Sequence, residues 1–179
     1  CGASGGGSGK RRRPAGGCAA WSCGATGSRG TPTTATLIAE ILKMAGKKVF
    51  TAGIGQKPVL DVLDEIGDTK DGVVVFELSS WRLSGLGREN MSPHIAVITN
   101  IFPDHLNYYG TMEKYIADKK CIFMSQSPED ILVLNFDNEA SRELVKNANS
   151  QVIFFSTERL GDPISKGRSD LHIENGKIV

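Results

Sequence analysis

TTATLIAEILKMAG, residues 33–46, carries apolar side chains at helical spacing and ends on a glycine, which predicts a helix with Gly46 at its C-terminus. The strand pattern KVFTA follows, then a short helix PVLDVLDEI with Pro58 in its first turn, then the β-branched run GVVVFEL of a strand buried on both faces. Strands that alternate with helices are typical of parallel sheets. We therefore predict a doubly wound, mostly parallel α/β sheet.

The alternation extends on both sides of this run. CAAWSC before it predicts a short strand that enters a glycine-rich turn. After it come strands and helices in turn: HIAVITN, GTMEKYIADKKCIFMSQ, DILVLN, NEASRELVKNA, QVIFFST, and the hairpin DLHIENGKIV with Asn175-Gly176 at its turn. Ligands of such sheets bind at the carboxyl ends of the strands, so chemistry is expected directly after CAAWSC, GVVVFEL and HIAVITN.

The composition changes abruptly near Thr31–Pro32. Residues 1–32 hold ten of the 21 glycines and five basic but no acidic residues, whereas the rest has 16 basic and 20 acidic residues. We therefore expect a flexible tail over residues 1–17 and an incomplete domain over residues 18–179. Because the chain also begins at Cys1, we suspect that residues 1–32 arose by a frameshift, a misassembly or an artificial join.

Composition also limits the class of protein. No apolar run reaches the roughly 18 residues of a membrane helix, and no apolar segment near the N-terminus resembles a secretory signal. The four cysteines form neither a CxxC pair nor a metal-spaced cluster, as expected for free thiols of a cytoplasmic protein. The basic run Lys10–Arg13 is either a nucleic-acid patch or, more simply, a solvated tail.

A glycine-rich loop, Ala25–Gly30, lies between the first predicted strand and the first helix. Its position and spacing fit a phosphate-binding loop, in which backbone N–H groups and the helix N-terminus surround phosphate. The next two residues do not fit, because Thr31 stands at the lysine position and Pro32 at the Mg²⁺-binding hydroxyl position. Thr33 and Thr34 could still offer hydroxyls. The alternative is a plain turn that precedes a helix, with the proline at a permitted position.

Polar residues also end two other predicted strands. Glu77 closes GVVVFEL and could hold Mg²⁺ or merely cap a turn. The pair Asp104-His105 follows HIAVITN, where a histidine is either functional or structural. Lys119 lies in a predicted helix beside Lys120, a pattern that usually marks a solvated face.

These residues together resemble the Mur ligase family. The resemblance covers about residues 24–179, and its specific motifs are FELSSWRL and AVITNIFPDHLNYYGTMEKYIADKKCIF, which are similar to the family's ELSS-[FW]-QL and TN-x3-DH-x4-G…Y-x3-K patterns. GATGSRGTPTTATLIAEIL resembles the ATP-binding loop and first helix of the same domain. Within the family, ELSSW favours the members that add D-glutamate.

The resemblance implies an ATP- and Mg²⁺-dependent amide ligase of peptidoglycan synthesis. ATP would phosphorylate the carboxylate of a UDP-linked muramoyl substrate, and the amine of D-glutamate would attack the acyl phosphate. The implied site residues are Glu77, His105 and carbamylated Lys119 for the metal, with Lys119 and His105 also catalytic; Gly27, Gly30, Thr33 and Thr34 for ATP; and Ser79 and Ser80 for the substrate.

The chain also departs from the family pattern. Besides Thr31 and Pro32, the family's G-N-I-G turn reads Gly53–Gln56 without the asparagine, and Arg82 replaces a glutamine. The N-terminal and C-terminal domains of the family are not in this sequence. We therefore expect a monomeric fragment that does not ligate and has neither nucleic-acid nor membrane partners. The alternatives are a non-catalytic nucleotide-binding module and, less favoured, a nucleic-acid module that uses Lys10–Arg13.

Overall fold

The computed structural model describes residues 21–67, 69, 71–157, 169–174 and 177–178. The strands are β1 (Trp21–Thr26), β2 (Lys48–Ala52), β3 (Gly72–Glu77), β4 (Ile95–Ile98), β5 (Ile131–Asn135), β6 (Gln151–Ser156), β7 (Ser169–Glu174) and β8 (Lys177–Ile178). The helices are α1 (Thr31–Met44), α2 (Val59–Ile66), α3 (Ser80–Arg88), α4 (Leu106–Tyr109), α5 (Met112–Lys120) and α6 (Glu139–Glu143), with 3₁₀ turns at Ile54–Gln56 and Leu144–Asn147.

The described strands form one sheet in the order β2-β3-β1-β4-β5-β6-β7-β8. All neighbouring pairs are parallel except β7 and β8, which are antiparallel. The predicted doubly wound, mostly parallel sheet is therefore confirmed. Ala25 of β1 pairs with Glu77 of β3 and with Val97 of β4, so the three central strands end at the same edge.

The two faces of the sheet are covered in different ways. On one face, α1 packs its buried Ala35 and Ala39 against Ala25, Val75 and Val97, and these small side chains let the helix approach closely. On the other face, the larger cluster joins α3 and α5 to β4, β5 and β6; its buried members include Leu83, Tyr115, Ile122, Phe123, Ile98, Leu132 and Phe154. Burial of this apolar surface is the main stabilising term of the fold.

The helix predicted over residues 33–46 forms, but its buried side differs in detail. Leu37 and Ile41, two of the apolar side chains of this stretch, are 56% and 64% exposed, because the alanines Ala35 and Ala39 face the sheet instead. The amide of Gly46 donates to the carbonyl of Lys43, and the next amide, of Lys47, donates to that of Leu42. This pair of hydrogen bonds is the Schellman ending expected of a glycine after the last turn.

Several element boundaries were predicted incorrectly. The first strand contains Trp21–Cys23 of the predicted CAAWSC and continues through Gly24 to Thr26, whereas residues 18–20 lie outside the described part of the chain. Pro58 precedes α2 as its N-cap. α3 was not predicted, since Gly85 and Gly87 lower helix propensity. The turn Asn175-Gly176 and the tail over residues 1–17 lie outside the described residues.

None of the helices within the described ranges is long and apolar enough to cross a membrane.

Candidate functional site

A cleft opens where the central strands end, as the strand pattern predicts. Its volume is about 180 Å³, and its walls come from four places: the loop and helix start Gly27–Pro32, the β3 end Glu77–Ser80, the pair Asp104-His105, and the α5 side chains Tyr115 and Lys119. Segments distant in sequence meet here because β3, β1 and β4 are adjacent and parallel.

The glycine-rich loop passes directly from β1 into α1. Gly30 is the N-cap of α1 in the left-handed region, and Thr31 is buried at the start of the helix. Gly27 lies against β4: a Cβ at this position would come within 1.9 Å of the Thr99 hydroxyl. The loop therefore requires a glycine where it passes the end of β4.

The hydroxyls that were expected to compensate for Pro32 lie elsewhere. The Thr34 hydroxyl donates to the carbonyl oxygen of Gly30, at 3.0 Å, as a backbone-bonded side chain within the helix. Thr33 is exposed. Neither residue is among those that line the cleft, whereas Gly27 and Gly30 are.

Lys119 is the most unusual side chain of the cleft. It is 1% exposed, and its Nζ donates to the carbonyl oxygen of Gly27 at 2.8 Å and to the hydroxyl of Thr26 at 3.3 Å. The same nitrogen lies 4.8 Å from the centre of the Tyr115 ring. Burial lowers the pKa of Lys119 to about 8, although the carboxylates of Asp104 and Glu77 act in the opposite direction. The alternative interpretation, in which Lys119 lies on a solvated helix face, is therefore wrong.

Tyr115 connects the same helix to the loop. The Tyr115 hydroxyl lies 3.0 Å from the Ser28 hydroxyl, and the tyrosine ring is buried. Burial raises the pKa of Tyr115. Tyr115 and Lys119 are four residues apart and therefore lie on one side of α5. The spacing Y-x3-K was visible in the sequence, but the contact with Ser28 was not.

Asp104 and His105 form a hydrogen-bonded pair at the edge of the cleft. His105 has a positive φ of 51°, which is uncommon outside glycine. The Asp104 carboxylate accepts the His105 amide at 2.9 Å, and its other oxygen lies 3.5 Å from His105 Nε2. The Trp81 ring packs on the imidazole with a centroid distance of 4.6 Å. These contacts fix the direction of the imidazole.

The end of β3 supplies one carboxylate and two hydroxyl groups. Glu77 lines the cleft, with Arg82 beside it: Arg82 Nη1 donates to the Glu77 carbonyl oxygen at 3.3 Å and lies 4.0 Å from its carboxylate. Ser79 is the N-cap of α3, and Ser80 is buried. All predicted site residues except Thr33 and Thr34 therefore border one cleft.

The capacity of the cleft to bind a metal ion depends on its carboxylates and its imidazole. The described residues contain no group of three His, Cys, Asp or Glu side chains arranged to hold a metal ion. Mg²⁺, however, commonly takes one or two protein carboxylates and completes its coordination with phosphates and water. The carboxylates of Glu77 and Asp104 beside the glycine-rich loop fit that pattern, and His105 lies next to Asp104.

Comparison with known proteins identifies close relatives. The chain is 43% identical over 162 residues to a UDP-N-acetylmuramoylalanine–D-glutamate ligase of Symbiobacterium thermophilum, covering 90% of this chain and 34% of the relative. It is 46% identical over 131 residues to the ligase of the same name from Acetivibrio thermocellus, covering 73% and 27%. The chain thus spans about a third of the length of the curated relatives it matches.

Solved structures share the fold. A UDP-N-acetylmuramoyl-L-alanyl-D-glutamate–2,6-diaminopimelate ligase superposes with a TM-score of 0.66 at 22% identity, covering 87% of this chain and 34% of the other. A MurF ligase from Thermotoga maritima in complex with ADP gives 0.62 at 23% identity, covering 79% and 34%. The family model described as Mur ligase middle domain matches residues 25–176. This chain therefore belongs to the Mur ligase family and contains its middle domain.

Proposed function

We propose that this chain is the ATP-binding part of a ligase that adds D-glutamate to a UDP-linked muramoyl-alanine substrate in peptidoglycan synthesis. The proposal rests on one observation: the glycine-rich loop, Glu77, Asp104-His105 and Lys119 all border the same cleft. The 43% identity to a D-glutamate ligase and the ADP complex of a structural neighbour support it.

We infer a role for each of these groups when ATP is bound as substrate. Backbone amides at the start of α1 would face the phosphates, since the first amides of a helix have no intrahelical acceptor. Mg²⁺ held by Glu77 and His105 would neutralise charge on the transferred phosphoryl group. The hydroxyls of the buried Ser80 and the partly buried Ser79 would lie towards the carboxylate of the UDP-linked substrate.

The reaction proposed for the complete enzyme has two steps. The substrate carboxylate takes the γ-phosphoryl group of ATP, which leaves ADP and an acyl phosphate. The amine of D-glutamate then attacks the carbonyl carbon, and phosphate leaves as the amide forms. The protein mainly positions the reactants and neutralises charge.

Lys119 is proposed as the third contributor to metal binding. Its amine is buried, and its lowered pKa makes the neutral, nucleophilic form more accessible near pH 8. Reaction of that amine with CO₂ gives a carbamate and releases a proton, which supplies a carboxylate where the cleft has a nitrogen. Mass spectrometry of the intact protein in bicarbonate would detect the added CO₂, and a Lys119→Arg variant should not show it.

Thr31 and Pro32 lead us to propose that this chain binds ATP weakly and does not ligate as it stands. The cleft lacks the lysine that would contact the β- and γ-phosphates. A non-catalytic nucleotide-binding module is the alternative that these two residues favour. We further propose that the chain is monomeric, resides in the cytoplasm and binds no nucleic acid.

Calorimetric titration with ATP, with and without Mg²⁺, tests the proposal. We expect saturable binding that strengthens with Mg²⁺, and a Glu77→Gln variant that loses the Mg²⁺ effect. Glu89→Gln, an exposed residue after α3, is the matched control and should behave as the unmodified chain. If the unmodified chain shows no saturable heat, the proposed nucleotide site is wrong.

A further inference from the structure

One side chain, Asn100, makes a two-point contact with the backbone of the glycine-rich loop. The Arg29 amide donates to Asn100 Oδ1 at 2.9 Å, and Asn100 Nδ2 donates to the Arg29 carbonyl oxygen at 3.0 Å. A single carboxamide thus satisfies both backbone groups of one loop residue, as a neighbouring strand would. Asparagine offers a donor and an acceptor at this length, whereas aspartate offers acceptors alone and alanine neither.

Two further hydrogen bonds hold the same loop segment. The Ser28 amide donates to the Asn100 carbonyl oxygen at 3.1 Å, and the Thr99 hydroxyl donates to the Arg29 carbonyl oxygen at 2.9 Å. Four hydrogen bonds therefore tie residues 28–29 to the end of β4. The amides of Ser28 and Arg29 donate to the segment that ends β4, which leaves the next amides, at the start of α1, for a ligand in the cleft, except at Pro32, which has none.

We propose that Asn100 is the positioning residue of the phosphate-binding loop: it fixes the backbone of residues 28–29 so that the start of α1 faces the cleft. The proposal rests on the proposed function for the identity of the ligand, ATP. ATP binding should depend on Asn100 more strongly here than in a loop that retains its lysine. Because Thr31 stands at the lysine position, backbone groups supply more of the phosphate contacts.

Asn100 also links the loop to the other wall of the cleft. It lies four residues before Asp104 on the segment that follows β4, and Ser28 is bonded to the same segment through its hydroxyl, which accepts the Phe102 amide at 2.9 Å. A displacement of the loop would therefore be transmitted to the Asp104-His105 pair. This connection gives the asparagine a role in both halves of the site.

The chain contains a matched control. Asn138 makes the same two-point contact with the backbone of Ile101: its Oδ1 accepts the Ile101 amide at 3.0 Å and its Nδ2 donates to the Ile101 carbonyl oxygen at 3.3 Å. Asn138 does not border the cleft. Asn138→Ala removes the equivalent two hydrogen bonds, and with them the N-cap of α6 at the Ser141 amide, without removing any hydrogen bond from the loop.

The test combines amide hydrogen exchange without ligand and calorimetric titration with ATP and Mg²⁺. In Asn100→Ala the Arg29 amide should exchange about tenfold faster, as expected for a lost hydrogen bond, and ATP should bind about tenfold more weakly. Asn100→Asp keeps the acceptor, so the Arg29 amide should stay protected while ATP binding weakens. Asn138→Ala should lower thermal stability and leave exchange of the Arg29 amide unchanged. Because Ile101 lies on the segment between Asn100 and Asp104, this variant should weaken ATP binding less than Asn100→Ala does.

Each outcome is decisive. Unchanged exchange of the Arg29 amide in a folded Asn100→Ala variant would overturn the proposal, as would an equal loss of ATP affinity in Asn138→Ala. If the unmodified chain does not bind ATP, the proposed function fails, and the exchange measurement alone then decides whether Asn100 holds the loop.

Discussion

The Nζ of Lys119 lies 2.8 Å from the carbonyl oxygen of Gly27, so a helix from the second half of the domain directly contacts the glycine-rich loop of the first. This contact places a nearly inaccessible amine between the loop and the carboxylates of Glu77 and Asp104. The loop, although it lacks the usual lysine at position 31, therefore has a lysine nitrogen against its backbone.

The stability of the fold should depend on pH through Lys119. Its folded pKa, about 8, is below the ordinary value of 10.5, so between these values the unfolded chain binds more protons and stability rises with pH. In CO₂-free buffer, the free energy of unfolding of the unmodified chain should rise between about pH 7.5 and about pH 9.5. This rise should exceed that of the Lys119→Met variant by about 2 kcal/mol. Urea denaturation of both proteins at the two pH values measures this difference.

The comparison with Lys119→Met is necessary because Cys23 acts in the opposite direction. Burial raises the pKa of Cys23 to about 11, so its thiol favours the folded state less as pH rises above its ordinary value of 9.0. Both proteins contain Cys23, and its contribution cancels in the difference. Parallel pH profiles of the two proteins would contradict the assigned environment of Lys119.

Gly27→Ala should destabilise the protein and distort the loop. The new methyl group would overlap the Thr99 hydroxyl, which itself donates to the Arg29 carbonyl oxygen. We expect the free energy of unfolding to fall by about 1–3 kcal/mol, as at other overpacked sites. Gly85→Ala is the matched control: its nearest neighbour lies 3.8 Å away, and alanine in a helix should stabilise by up to about 1 kcal/mol. Equal changes in melting temperature for the two variants would contradict the close contact between Gly27 and Thr99.

Arg82→Gln should strengthen Mg²⁺-dependent ATP binding. The guanidinium lies 4.0 Å from the Glu77 carboxylate and competes with a metal ion for its negative charge. Because the pair is partly exposed, the gain should be small, about two- to fivefold in affinity. Arg88→Gln, at the other end of α3, should have no effect. Weaker binding in Arg82→Gln would instead indicate that the arginine contacts the ligand.

Trp81→Ala should weaken Mg²⁺-dependent ATP binding by releasing His105. The indole packs on the imidazole at 4.6 Å, next to a backbone conformation that is strained for histidine. Trp81→Phe keeps an aromatic ring and should retain most of the affinity, whereas the alanine variant should lose about tenfold, in line with the value of a packed aromatic pair. Calorimetry compares the three proteins. Equal affinities would show that Trp81 does not support Mg²⁺-dependent ATP binding.

The sheet was predictable because its signals are local. Each β-branched run, such as GVVVFEL, is bounded by turn residues, and alternation with helices determines the parallel arrangement. Positions of ligands at strand ends follow from that topology, which is why Glu77 and His105 could be placed at the same edge from sequence.

The contacts inside the cleft could not be predicted in this way. The burial of Lys119 depends on how α5 packs across the sheet, and its neighbour Lys120 gives the same local signal without the same environment. Asn100 is one asparagine among several after strands, and its pairing with Arg29 joins residues 71 positions apart. The boundary of β1 was misplaced because Gly24 reads as a turn residue, although its lack of a side chain serves the packing of Pro93 and Leu78.

Restoration of the loop by Thr31→Lys with Pro32→Thr tests the central claim, that this cleft is a phosphate-binding site limited by two residues. Calorimetric titration with ATP and Mg²⁺ should show single-site binding at least about tenfold tighter than in the unmodified chain, as expected for an added charge-assisted hydrogen bond. No saturable binding in either protein, or equal affinities in both, would contradict the claim.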